Sequence, residues 1–169
     1  MSSIDRAPVL VLGVGNILLG DDGAGVHLVK QMPRLSADWN GTVELLEGGT
    51  QGLALLGDIA GRSALVLLDA AALGAVPGTV HVRRDGEVLE LSHRGCTAHE
   101  GNAGELLAVA GLLGELPQCI MMVGIEPLRL ETGIGLSEPV QQAIPAALEA
   151  ARQVVDEALL YLRHSGSHA

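Results

Sequence analysis

A chain of 169 residues with ten Lys and Arg against twenty Asp and Glu carries a formal charge of -10, which repels a phosphate backbone and excludes nucleic acid as a partner. Apolar residues make up 48%, yet there is no Phe, one Trp (Trp39) and one Tyr (Tyr161), so the interior must be aliphatic and base stacking on aromatic rings is excluded as a binding mode. Two cysteines, Cys96 and Cys119, without a signal peptide lead us to expect a reducing, cytoplasmic setting, and no apolar run approaches the roughly 20 residues of a membrane-spanning helix, so no membrane partner is expected.

Residues 1–7 lack pattern and are expected to be disordered. Pro8 introduces an apolar run, Val9 to Leu12, read as the first strand. Gly13 to Gly25 follows as GVGNILLGDDGAG, with five glycines in thirteen residues and the adjacent carboxylates Asp21 and Asp22. Glycine lets another group approach the backbone closely, so this concentration after a strand marks a loop built around something. A helix over Gly23 to Met32 is predicted to stop at Pro33. A second strand, Thr42 to Leu46, ends at Glu47 and the turn Gly48-Gly49-Thr50, and a helical stretch from Gln51 to Ala60 repeats the first unit. The run Ala64 to Leu68 is apolar throughout, as a central parallel strand buried on both faces should be, and Asp69 closes it.

After Pro77-Gly78, Thr79 to Val82 alternates like an edge strand, while Arg83 to Glu90 is charged and read as exposed. Residues 91–102 read as a polar loop with His93, Cys96, His99 and Glu100, feeding a helix at Ala103 to Leu113. Another apolar strand spans Cys119 to Val123, and 124–135 form an irregular connection. Ser137 reads as the cap of a long amphipathic helix with Pro139 in its first turn, and Pro145 is expected to bend or break it. The tail 164–169 is expected to be disordered. The alternation predicts one domain over 1–169, an α/β fold of three layers (αβα sandwich) with a mostly parallel central sheet. In such sheets sites lie at the carboxyl ends of the strands, which selects the loops at Asp22, Gly48 to Thr50 and Asp69.

Dinucleotide binding is the first reading of a glycine loop between strand and helix, but position 18 is Leu where GxGxxG needs its third glycine. Two carboxylates also stand where the anion would have to bind. Asp22 and Asp69 each have a plainer reading as capping residues, and His99 as one more polar loop residue. Their convergence on one sheet edge favours more: two carboxylates and an imidazole are a ligand set for a divalent metal such as Ni or Zn, with positions open for water or substrate. Cys96 has no second Cys nearby and is read as an ordinary thiol. His27 is read as a surface or packing residue, and His81, His93, His164 and His168 have no partner arranged in the pattern. No GxSxG elbow or catalytic cysteine arrangement occurs, which disfavours a nucleophilic hydrolase.

Taken together, GVGNILLGDDGAG, the turn GGTQG at 48–52 preceded by an acid, LVLLDA ending its strand at Asp69, TAHEGN around His99, and the later VGIEP and IGLS segments resemble the hydrogenase maturation endopeptidases. The matches run in order across nearly the whole domain. The resemblance implies an endopeptidase that removes a C-terminal extension from the large-subunit precursor of a [NiFe] hydrogenase after nickel insertion, with nickel, carried by the precursor, as the recognition signal. It implies no organic cofactor. The family's metal-contacting positions, an acid in the glycine loop, an acid ending the third strand and a later histidine, fall on Asp22, Asp69 and His99, the residues also expected to be catalytic. Substrate recognition is expected at Glu47, Gly48, Gly49 and Thr50. Glu47 departs from the Asp common in the family at that place, which bears on which precursor is accepted. The alternative from another class is a non-catalytic metal-checkpoint chaperone that binds the immature subunit without cutting it.

Overall fold

The computed structural model describes residues 6–94 and 103–166. Five strands, β1 (Val9–Val14), β2 (Val43–Gly49), β3 (Ala64–Ala70), β4 (Val80–Arg84) and β5 (Cys119–Ile125), form one sheet in the order β2-β1-β3-β5-β4. The first three neighbours in that order, and β5 with β3, run parallel; only edge strand β4 is antiparallel, against β5. The helices are α1 (Ala24–Gln31), the single turn α2 (Leu56–Ile59), α3 (Gly86–His93), α4 (Ala103–Leu112) and α5 (Glu138–Gly166).

Side chains alternate across a strand, so each central strand supplies both faces of the sheet. Val9, Val11, Val66, Leu68, Met121 and Val123 pack on one face with Leu28 of α1 and Ala147, Ala151 and Val155 of α5. Leu10, Leu12, Leu65, Leu67, Ile120 and Met122 pack on the other with Ile59 of α2, Val88 of α3 and Leu106 and Leu107 of α4. This is the three-layer α/β arrangement expected from the sequence. Its core is aliphatic with Trp39 as the buried aromatic at the rim.

Several local expectations are corrected. The Asp21-Asp22 pair lies in a 3-10 turn, Gly20–Gly23, ahead of α1, and beyond Gln31 the chain continues as 3-10 helix through Pro33 to Asp38. A proline tolerates that passage because its missing N–H falls in the first turn of the new segment. Residues 83–90, read as exposed chain, contain most of α3. Its helical period is masked by charge, and Val88, fully buried, ties it to the core with Leu89 and Leu91 packed partly buried beside it. Asp85 starts it with φ 45°, and its Oδ1 accepts the Ile120 N–H at 2.9 Å, so the turn is fixed to β5. The last helix runs unbroken through Pro145 because Val140, Ile144 and Ala147 are buried on both sides of it. It also extends through His164 to Gly166, beyond the point where the sequence reading ended order.

Candidate functional site

Strand β1 leads into the loop that carries the acid pair, and packing dictates its glycines. A Cβ on Gly25 would sit 2.1 Å from the Leu68 carbonyl oxygen and 2.5 Å from that of Val14, so only glycine lets the start of α1 press between the ends of β1 and β3. Gly15 has φ +124°, and a Cβ there would meet the Asp22 carbonyl at 1.9 Å. The loop therefore folds tightly on itself and delivers Asp22 to the end of β3 where Asp69 stands.

Both carboxylates are buried, Asp22 fully and Asp69 at 4% exposure. The Asn16 N–H holds Asp22 Oδ2 at 2.7 Å, and the Ala70 N–H holds Asp69 Oδ1 at 2.8 Å. Burial raises the Asp69 pKa well above the ordinary carboxylate value, the negative charge of Asp22 raises it further, and the Ala70 hydrogen bond only partly opposes them. The two carboxylates are thus electrostatically coupled. A divalent cation placed between them would offset both causes at once, so this donor set fits a hard or borderline metal ion. Among the described residues no cluster of three or more His, Cys, Asp or Glu is arranged to hold a metal ion. His99, the third expected ligand, and Cys96 lie outside the described residues.

Asp21, one residue from Asp22, has a different task. It is fully buried and accepts four hydrogen bonds: from the N–H groups of Leu128 (2.9 Å), Arg129 (3.1 Å) and Ser137 (2.7 Å), and from the Ser137 hydroxyl (2.7 Å). Burial acts to raise its pKa, but the Ser137 backbone and hydroxyl bonds, with those of Arg129 and Leu128, hold it below the usual carboxylate range. Ser137 directly precedes α5, its carbonyl accepts the Gln141 N–H at 2.8 Å, and its hydroxyl donates to Asp21. The effect is to fasten the 126–137 connection onto the glycine loop.

The turn expected to recognise substrate is divided by the structure. Glu47 reaches Lys30 Nζ of α1 at 3.2 Å, both side chains half exposed. Gly49 pairs with Val14 at an irregularity in the β1–β2 register, and its carbonyl accepts the Gly15 N–H at 3.0 Å. Glu47, Gly49 and the exposed Thr50 border a hollow of about 250 Å³ whose other wall is Asn16, Ile17 and Leu18 of the glycine loop. Gly48 faces the core instead: a Cβ there would lie 2.7 Å from Leu12 Cδ1 and 3.0 Å from Leu55 Cδ1.

A further buried pair escaped the sequence. His81 of β4 and Glu126, which follows β5, meet at 2.8 Å, both almost without solvent access. Glu126 also accepts the N–H groups of Leu73 and Gly74. Burial tends to raise its pKa, yet the Leu73 bond, His81 and further backbone donors bring it below normal. The pair pins the loop after Asp69 to the sheet. The antiparallel register that sets His81 opposite Gly124 created this contact, and only the alternation around His81 hinted at an inward side chain. His27, read as a surface or packing residue, is partly buried on α1; burial and the nearby Lys30 charge both lower its pKa.

The chain matches the family model described as hydrogenase maturation protease over residues 26–154. It is 38% identical over 164 residues to the hydrogenase 2 maturation protease of Escherichia coli strain K12, covering 95% of this chain and 94% of that one. It is 37% identical over 149 residues to the hydrogenase expression/formation protein HupD of Rhizobium leguminosarum bv. viciae, covering 87% and 73%. Among solved structures it resembles the E. coli hydrogenase maturating endopeptidase HybD, with a TM-score of 0.72, 37% identity and coverage of 94% and 93%. The [NiFe] hydrogenase maturation protease HybD from Thermococcus kodakarensis superposes with a TM-score of 0.62 at 28% identity, covering 86% and 97%. With the acid pair at the carboxyl edge of an α/β sheet and these relatives along nearly its full length, the chain belongs to the hydrogenase maturation protease family.

Proposed function

We propose that this protease cuts a C-terminal extension from the nickel-loaded large-subunit precursor of a [NiFe] hydrogenase, and that it recognises the nickel the precursor carries. The observation behind this reading is the buried, electrostatically coupled pair Asp22 and Asp69 at the carboxyl edge of the sheet. Without a cation, burial and the charge of Asp22 both act against ionisation of Asp69. Nickel brought by the precursor would be held by both carboxylates, with His99 as the third donor. A precursor without nickel offers nothing to offset the like charges. The scissile segment would be held by its metal anchor, so hydrolysis becomes a positioned reaction. Water adds to the scissile carbonyl, the C–N bond breaks, and the released amine takes a proton; a carboxylate of the pair is the base that accepts the proton from water.

The test mixes the purified protein with nickel-loaded and nickel-free precursor and follows the mass of the large subunit. Loss of the C-terminal peptide from the loaded form alone is the expected result, and Asp22→Asn should slow it by at least about 100-fold. Equal cleavage of both forms would overturn nickel recognition. Tight binding of the precursor with no shortening by the wild-type protein would favour the checkpoint chaperone instead.

A further inference from the structure

Beside the acid pair the carboxyl edge carries aliphatic side chains that neither core covers. Ile17 and Leu18 in the glycine loop are 43% and 55% exposed, and Ile134 in the 126–137 connection is 88% exposed. They are held together by backbone bonds. The Gly133 N–H donates to the Leu18 carbonyl at 2.9 Å, the Gly20 N–H donates to the Gly133 carbonyl at 2.8 Å, and Leu19 and Gly133 form a parallel bridge. Asp21 fixes the same connection from within. Ile17, Leu18, Val26 and Ile134 border an apolar hollow of about 180 Å³, with Lys30 at its margin. Three of those residues, Ile17, Leu18 and Val26, also line the hollow bounded by Glu47, Gly49 and Thr50. Clustered exposed aliphatic groups on a fixed frame mark an interaction surface.

We propose that this two-loop lip docks the precursor, taking an aliphatic side chain from its C-terminal region next to the bond to be cut. The inference rests on the functional reading above and adds the surface that selects the polypeptide, where the acid pair selects the metal. Continuity with the acid site names the occupant. Asn16, whose N–H holds Asp22, is followed directly by Ile17, and Ile17 packs so closely on Gly23 that a Cβ there would lie 2.9 Å from its Cα. A segment seated in the lip is therefore beside the carboxylates. Charge argues against a second copy of this chain as occupant, since each copy carries a formal charge of -10.

The experiment measures KM and kcat for cleavage of nickel-loaded precursor by the wild-type protein, Ile134→Glu, Ile134→Ser and Leu112→Glu. Leu112, 87% exposed at the end of α4, lies at the opposite edge of the sheet and controls for an added charge on an exposed leucine. Ile134→Ser removes the aliphatic group without adding charge. Expected is a KM raised at least about ten-fold by Ile134→Glu and several-fold by Ile134→Ser, with Leu112→Glu matching the wild type and all melting temperatures alike. The lip is overturned if Ile134→Glu cuts with wild-type KM, if Leu112→Glu is equally impaired, or if sedimentation shows a wild-type dimer that Ile134→Glu dissociates. A wild-type protein that leaves the loaded precursor uncut would overturn the functional reading itself, a result distinct from cleavage that is indifferent to Ile134.

Discussion

Asp21 and Asp22 are neighbours with the same side chain and different surroundings. Asp21 satisfies three backbone N–H groups and a hydroxyl of a segment more than a hundred residues away, whereas Asp22 stands beside another buried carboxylate. Replacing the first removes four hydrogen bonds and strands donors in the interior. Replacing the second relieves repulsion. Asp21→Ala should therefore lower the unfolding free energy by about 3 kcal/mol, read from the urea midpoint, while Asp22→Asn should leave the midpoint unchanged or raise it. A larger loss from Asp22→Asn than from Asp21→Ala would contradict these assignments. The sequence marked Asp22 as a candidate and showed Asp21 only as its neighbour in the loop, because the partners of Asp21 lie beyond α1, β2, α2, β3, β4, α3, α4 and β5.

At the scale of elements, the glycine loop and α1 form a wedge between strand ends. The Leu68 and Val14 carbonyls that crowd Gly25 are backbone atoms of two sheet strands, so neither can swing aside for a methyl group. Gly25→Ala should cost about 3 kcal/mol or more and depress cleavage along with stability, since the same wedge places Asp22. By contrast, Gly57→Ala on α2, where an added Cβ meets nothing within 4 Å, should be neutral or mildly stabilising in the same urea titration. The central strands β1, β3 and β5 were readable because their apolar runs are continuous. Helix α3 was not, because Val88 is its only fully buried residue and such a short charged helix carries no period to detect. Its place is fixed instead by Asp85 bonding back to Ile120.

For the whole molecule, the buried carboxylates act on stability in opposite directions. Asp21 and Glu126 have folded pKa values below their unfolded ones, so their contribution is present above the unfolded values and is lost as pH falls through the folded ones. Asp69 is the reverse. Its folded pKa lies well above 3.8, so the folded state keeps a proton that the unfolded chain releases, and stability falls as pH rises from that value until Asp69 itself ionises. Above the acid limb set by Asp21 and Glu126, Asp69 should therefore draw the melting temperature down from its peak as pH rises, while His27, whose folded pKa is lowered, acts the other way. In scans from about pH 3 to pH 9, Asp69→Asn should flatten the decline above the peak and leave the acid limb in place. An unchanged decline in Asp69→Asn would show that Asp69 is not its source.

Across the chain, sequence by itself determined the layers and the edge at which a site must lie. Apolar runs closed by acids, and alternation of strand with helix, are local patterns that survive without knowledge of partners. Sequence also marked Asp22, Asp69 and the turn at Glu47 to Thr50 as candidates, and the family through its ordered motifs. Tertiary structure alone decided which groups touch. It set Asp22 against Asp69 and coupled their charges, turned Gly48 into the core while leaving Gly49 and Thr50 at the hollow, joined His81 to Glu126 across the β4–β5 register, and left Ile134 exposed beside Leu18. Each of these depends on segments distant in the chain being brought together by sheet order and close packing at glycine, and a one-dimensional pattern does not encode that proximity.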